Sequence, residues 1–167
     1  MKNKPEFEMI QNERGGSLVE FAIVMPLLFM ILFGIIDFGI LLYDKAVITN
    51  AGREGARFGI VQVLNESNGE PTRHSATEIS DVVSTYCTDR LVTFEENVNV
   101  SVLPKAYRWN ETDETYDEIS LGSAKFGDDL RVQVTYSYTY LAIPKIPGVG
   151  LDDATVDLTT TTVMKYE

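Results

Sequence analysis

The residues best placed to do chemistry lie near the N-terminal end of this chain. Gly15-Gly16-Ser17 is a run of small residues set directly before the longest apolar stretch, and Glu20, followed by Phe21, sits within the first turns of that stretch. A peptide bond between two glycines offers a protease a backbone that no side chain obstructs. A secretory signal is cut after its apolar core. Here the small residues precede the core, and Thr49-Asn50-Ala51 is too far beyond it to serve as a late site. A cut between Gly15 and Gly16 would leave the apolar segment on the product, with Gly16 carrying a new amine that is positive at neutral pH. Glu20 would then lie four residues from that amine. A carboxylate in an apolar span is costly unless a cation meets it. The next cation in the sequence is Lys45, 25 residues from Glu20, or about 37 Å along a helix. The amine of Gly16, or that of a neighbouring copy, is therefore the available partner.

The rest of the chain offers little reactive chemistry. His74 is the single histidine and falls in a loop with no paired acid marked by the sequence. Cys87 is the single cysteine, which excludes an intramolecular disulfide and a cysteine-rich zinc site. It reads as a small buried hydrophobe. Gly52, Gly55 and Gly59 lack the preceding strand of a dinucleotide fingerprint. The acidic pairs Asp113/Glu114, Asp117/Glu118, Asp128/Asp129 and Asp152/Asp153 lack the spacing of an EF-hand loop and read as solvated turns. A net charge of -11 argues against nucleic acid as a partner. No catalytic constellation, cofactor or metal is expected, and the chain does not read as an enzyme.

The elements that position the N-terminal residues follow from the apolar run. Phe21 to Ile36 holds no charge, Asp37 interrupts, and the run resumes to Tyr43. Leu18 to Tyr43 is 26 residues, about 39 Å as a helix, enough to cross a bilayer core of about 30 Å. A helix apolar on every face for this length is rare in a soluble core. Ser17 and Glu20 have the spacing of a capping box, so a helix start near Gly16 or Ser17 is expected. Pro26 removes the N–H that would meet the Ala22 carbonyl. Asp37 lies near the outer end of the span and is expected either to reach the headgroups or to make a polar contact with a partner helix. The helical pattern continues through residues 44–63. Ala46, Asn50, Ala51, Gly55 and Gly59 repeat at four-residue spacing. Each interior glycine costs about 1 kcal/mol. Either the helix ends at Gly52, or Gly52, Gly55 and Gly59 form a small-residue stripe for close packing. Arg53 and Arg57 at helical spacing favour the stripe. Pro26, Gly34, Asp37, Gly52, Gly55 and Gly59 are thus the candidate helix-packing positions.

Downstream the composition turns acidic and the pattern becomes mixed. Residues 65–73 read as a loop by their Asn, Gly and Pro content. Ser75 and Glu78 form a capping box before a second, amphipathic helix whose face is Ile79, Val82, Val83, Tyr86 and Leu91. From Asn97 the period becomes two. Val98, Val100 and Val102 mark one strand, and Val132, Val134, Tyr136, Tyr138 and Tyr140 mark another. A threonine-rich stretch from about Ala154 to Lys165 marks a third. Residues 106–109 and 116–121 flank an acidic tip as two short strands or one long hairpin. The tyrosine stripe is expected to pack a helix onto the sheet. The fold class is α+β: a long N-terminal transmembrane helix, a second amphipathic helix and a small antiparallel β-sheet. The expected divisions are a leader over 1–15, the membrane and continuing helix over 16–64, and an α+β domain over 65–167.

Gly16, Glu20 and Phe21 resemble the processing motif of Flp-type prepilins, in which a cut before glycine leaves a glutamate and an aromatic at mature positions five and six. With the mid-run proline, Phe33-Gly34-Ile35-Ile36-Asp37-Phe38-Gly39 and Arg53-Glu54-Gly55-Ala56-Arg57, residues 14 to 60 resemble the TadE-like pseudopilins, minor pilins of the tight-adherence (Tad) pilus. The resemblance implies a structural subunit cut by a prepilin peptidase at Gly15–Gly16 and assembled through Glu20 and Phe21. It implies other pilins and pseudopilins, Tad platform proteins and membrane lipid as partners. It also implies a single-pass location in the cytoplasmic membrane with the C-terminal domain outside, and a place in a surface pilus. Flanking charge does not settle the orientation: Lys2, Lys4 and Arg14 balance Lys45, Arg53 and Arg57. The alternative is an anchored extracytoplasmic binding or sensing domain that is never cut.

Overall fold

A computed structural model of the chain describes residues 13–64, 69, 71–93, 99–140 and 155–167, with the side chains of 13–15 left aside. Residues 1–12 of the leader, Val98, Asp152/Asp153 and most of the 65–73 loop lie outside what is described. The chain forms two compact units, Met1–Ile36 and Asp37–Glu167. The division therefore falls inside the long helix and not at its end.

Helix α1 spans Glu13–Ile60 and continues through Pro26. It starts before Ser17, so Ser17 is an interior residue and not an N-cap. The capping box expected for Ser17 and Glu20 is not the helix start. Between Leu18 and Ile36 the side chains of α1 are exposed, including Phe21, Leu27, Met30 and Ile35. From Asp37 onward α1 has a buried stripe: Asp44, Val47, Ile48, Ala51, Gly52, Gly55, Ala56 and Gly59. The stripe recurs every three or four residues, the period of one helix face. Ala46 and Asn50, expected on that face, are exposed. The helix does not end at Gly52, and it stops at Ile60 instead of running to 63.

Beyond it, β1 (Gln62–Leu64) pairs antiparallel with β2 (Pro71–Arg73), so the ends of the expected helix and loop form a small hairpin. The Arg73 guanidinium explains the stop. Its Nη1 donates to the Ile60 carbonyl at 2.5 Å, satisfying one of the orphan acceptors at the helix end. Helix α2 (Ala76–Arg90) begins with a complete capping box. The Ser75 hydroxyl accepts from the Glu78 N–H at 3.2 Å, and the Glu78 carboxylate accepts from the Ser75 N–H at 2.7 Å. The Ser75 N–H, and then the Ser75 hydroxyl, donate to the Glu78 carboxylate and hold its carboxyl below its ordinary value. The buried residues of α2 are Ile79, Val83 and Cys87. Cys87 lies on the buried stripe itself, and burial pushes its thiol up to about 11. Val82 and Tyr86, placed on that face by the sequence, are only half-buried.

The main sheet has the order β4-β3-β5-β6, all antiparallel. Strand β3 (Val100–Asn110) joins two segments that the sequence separates at Pro104, and β4 (Thr115–Ile119) returns from the acidic tip as a hairpin. At Pro104 strand β3 pairs with β5 only, since β4 reaches just to Ala106. It is an edge there, the place where a sheet admits proline. β5 (Asp129–Thr139) buries Leu130, Val132, Val134, Tyr136 and Tyr138, and β6 (Thr155–Lys165) pairs along its full length. The tyrosine stripe faces the core.

One acidic pair departs from its expectation. Asp128 and Asp129 are buried, not solvated. Asp128 takes both Arg108 Nε at 3.0 Å and Nη2 at 2.7 Å, plus the Lys125 N–H at 2.7 Å. The turn closes through Gly127, whose φ of 89° favours glycine. The Arg108 hydrogen bonds hold the Asp128 carboxyl below its ordinary value. A depressed folded-state pKa contributes stability above the unfolded carboxylate pKa and loses it as pH falls through the folded value. Asp128→Asn is therefore expected to flatten the acid side of a stability-versus-pH curve, measured by urea titration between about pH 2 and 6. An unchanged acid slope would remove the pair from that role.

Candidate functional site

The N-terminal site is a stretch of α1. Gly16, Glu20, Phe21, Pro26 and Gly34 lie in the Met1–Ile36 unit, and all five are exposed. A Cβ added at Gly16 or Gly34 would meet nothing within 4 Å. These positions therefore hold their surface open. Glu20 lies one helical turn from Gly16, on a helix that is already formed through both residues. The described helix is long and apolar enough to cross a membrane and fits a single-pass anchor.

Asp37 is placed differently. It is 3% exposed within the Asp37–Glu167 unit. The Tyr138 hydroxyl of β5 lies 3.3 Å from both the Asp37 carbonyl oxygen and Oδ1. A sheet tyrosine of the same chain meets it, a contact that neither sequence expectation had. Burial, and then Asp37 beside it, hold the Tyr138 phenol well above its ordinary value, so it stays a donor. Asp44 lies seven residues on, on the same helix face, and is fully buried. Its Oδ1 accepts from the Val92 N–H at 3.0 Å, while Oδ2 has no hydrogen bond among the described residues. The Lys45 ammonium donates to the Thr159 carbonyl of β6. Together these contacts tie the start of the buried stripe to β5, β6 and the end of α2. The signal in the sequence was the seven-residue spacing of Asp37 and Asp44 in phase with Ile48, Ala51 and Gly55. Asp37→Ala removes one of two acceptors of a buried hydroxyl and leaves the Asp37 carbonyl, so it is expected to cost about 0.5 to 1.5 kcal/mol. Chemical denaturation of the full chain in detergent checks this, and a loss under half a kcal/mol would show the contact to be idle.

The glycine stripe is packed inside the chain. A Cβ at Gly52 would lie 3.1 Å from Thr162 Oγ1 and 3.5 Å from Val134 Cγ2. One at Gly55 would lie 2.3 Å from Val83 Cγ2. One at Gly59 would lie 2.6 Å from Leu130 Cδ2 and 2.7 Å from Ile79 Cδ1. α1 thus approaches α2 at Gly55, the sheet at Gly52, and both at Gly59. His74 stacks on Phe58 with centroids 3.7 Å apart, and its Nδ1 lies 3.7 Å from Glu78. It belongs to the junction of α1 and α2, and among the described residues no group of three or more metal-ligating side chains forms.

No curated protein and no solved structure matches the chain. A family model does. Residues 15–57, 43 of the chain's 167, match the TadE-like protein model, a span that opens at the expected cut and closes at Arg57. It covers the exposed apolar run, Glu20, Asp37 and the first two glycines of the stripe, and so this N-terminal segment is TadE-like.

Proposed function

We propose that the chain is a minor pseudopilin of a Tad-type pilus. A prepilin peptidase cuts between Gly15 and Gly16, leaving the apolar half of α1 as a membrane anchor in the cytoplasmic membrane. The acidic α+β domain lies outside. Glu20 and Phe21 join the subunit to other pilins and pseudopilins, with Tad platform proteins acting on the assembly and lipid surrounding the free subunit. The role is structural and no reaction is assigned to the chain. The observation that carries this reading is the TadE-like match over 15–57. The exposed, uniformly apolar helix surface from Leu18 to Ile36 supports it, because such a surface needs lipid or other helices to cover it.

N-terminal sequencing or intact mass of the membrane-derived protein tests the reading. A mature terminus at Gly16 is expected, and Gly15→Leu is expected to leave the chain uncut, since a side chain then fills the space that the backbone needs. A terminus at Ser17 would move the cut and put Glu20 at the fourth position. Full-length protein alone would replace the pseudopilin with an anchored domain.

A further inference from the structure

Three contacts run along the seam where α1 meets α2. Gly59 lies against Ile79, Gly55 lies against Val83, and Asp44 Oδ1 accepts from the Val92 N–H, just past α2, at 3.0 Å. The contacts descend one helix as they ascend the other, so the two are antiparallel and Asp44 closes one end of the seam. Cys87 lies within it, between Val83 and Val92, and is fully buried. Asp44 is fully buried too, yet its Oδ2 has no hydrogen-bond partner among the described residues. A buried carboxylate is ordinarily held by a cation or by several donors. On its own helix the charged neighbours of Asp44 are Asp37, an acid, and Lys45, whose ammonium is taken by the Thr159 carbonyl of β6. β5 brings the phenols of Tyr136 and Tyr138, and the Asp44 charge is one of the causes that raise Tyr138. α2 brings the Cys87 thiol and Arg90, whose guanidinium stacks on Tyr86. Asp157 of β6 lies with Ser137 on the face of the sheet away from the core. Among the described residues no ion pair reaches Asp44.

We propose that Asp44 is a proton-operated latch on this seam: neutral, it lets α1 and α2 stay closed, and its ionisation as pH rises drives the seam to open. The neutral carboxyl keeps the Val92 bond and leaves one unpaired hydroxyl. The ionised carboxyl leaves a desolvated, charged oxygen with no donor, and water reaches it when the Asp44–Val92 end of the seam parts. Burial raises the Asp44 carboxyl above its ordinary value, and the Val92 N–H offsets part of that. The closed chain therefore holds the proton to higher pH than the open one does. The stability this contributes is complete below the unfolded carboxylate value of about 3.9 and is lost as pH rises through the folded value. Between the two, opening grows by up to about tenfold per pH unit, the limit for one proton. The sign is opposite to that of Asp128, whose contribution is lost on the acid side. Every group involved belongs to the Asp37–Glu167 unit, so the latch stands apart from the reading of the chain as a pseudopilin.

Cys87, the chain's single thiol, reads the opening in the full-length chain in detergent. It is labelled with dithiodipyridine from about pH 4 to pH 8. Each rate is divided by that of the same chain unfolded in urea at the same pH, which removes the thiol's own pH dependence. The ratio of wild-type to Asp44→Asn labelling is expected to rise about tenfold or more across that range, because asparagine keeps an acceptor for Val92 and cannot ionise. The ratio also cancels His74, which sits at the Phe58–Glu78 contact in both chains. Asp81→Asn removes the same charge from the exposed face of α2 and is expected to follow wild type. A ratio that stays level or falls as pH rises overturns the latch. So does Asp81→Asn behaving as Asp44→Asn does, which would put the effect down to net charge. Should Asp44→Asn label at the unfolded rate at every pH, wild type alone decides: its protection of Cys87 is expected to fall as pH rises, and protection that stays level or rises overturns the proposal.

Discussion

A chain carrying Glu20→Gln is expected to be cut, to insert in the membrane, and to be missing from the assembled pilus complex. The reason is electrostatic. Glu20 lies on a formed helix whose surroundings from Leu18 to Ile36 are apolar and exposed to whatever covers them. In lipid or between helices the carboxylate needs a cation. Within the cut chain the amine of Gly16 is one turn away, and in an assembly the amine of a neighbour is equivalent. A neighbour's amine would fix the axial stagger of the packed helices. Leaving one member of a buried pair alone costs about 3 to 5 kcal/mol, or roughly a hundredfold or more in association. Glutamine keeps the length and hydrogen bonding of the side chain and removes only the charge. A capping box accepts glutamine in place of glutamate. A loss in Glu20→Gln cannot then be put down to a missing cap. Co-purification of the variant with the pilus complex, after N-terminal sequencing has shown it cut, is the measurement. Normal assembly of Glu20→Gln would sink the charge pair.

Gly55→Ala is expected to destabilise the Asp37–Glu167 unit, although alanine is the better helix former by about 1 kcal/mol. The new Cβ would stand 2.3 Å from Val83 Cγ2. Valine in a helix has one strongly preferred rotamer, so Val83 cannot swing aside, and α1 and α2 must separate. Overpacking of this kind costs about 1 to 3 kcal/mol, which outweighs the propensity gain. Gly55→Val is expected to lose more. Gly59→Ala should be milder than Gly55→Ala, because its close neighbours are the outer methyls of Leu130 and Ile79, which can turn. Gly34→Ala is the control, since its Cβ meets nothing within 4 Å. Urea unfolding of the full chain in detergent, followed by the fluorescence of Trp109, the chain's single tryptophan, ranks the four. A Gly55→Ala chain as stable as its parent would mean that α2 yields at no cost.

The sequence by itself determined the elements whose signal is local. The apolar run from Phe21 to Ile36 specifies a helix without reference to the rest of the chain, because no face of it is polar. Ser75 and Glu78 specify the start of α2, since a capping box joins atoms only three residues apart. The alternation from Val132 to Tyr138 specifies both a strand and its buried face. The TadE-like character is legible because its residues are consecutive.

Tertiary structure decided whatever depends on partners distant in the chain. The helix end at Ile60 depends on Arg73, thirteen residues later. Asp37 is buried because Tyr138, 101 residues away, supplies a donor. Asp128 is drawn inward because Arg108 reaches it from β3. The glycine stripe looks the same in sequence whether it meets another subunit or the chain's own α2, and only the fold brings Val83 against Gly55. In each case the free energy comes from a contact made by folding, and spacing along the chain can mark a buried face but does not name the partner that meets it.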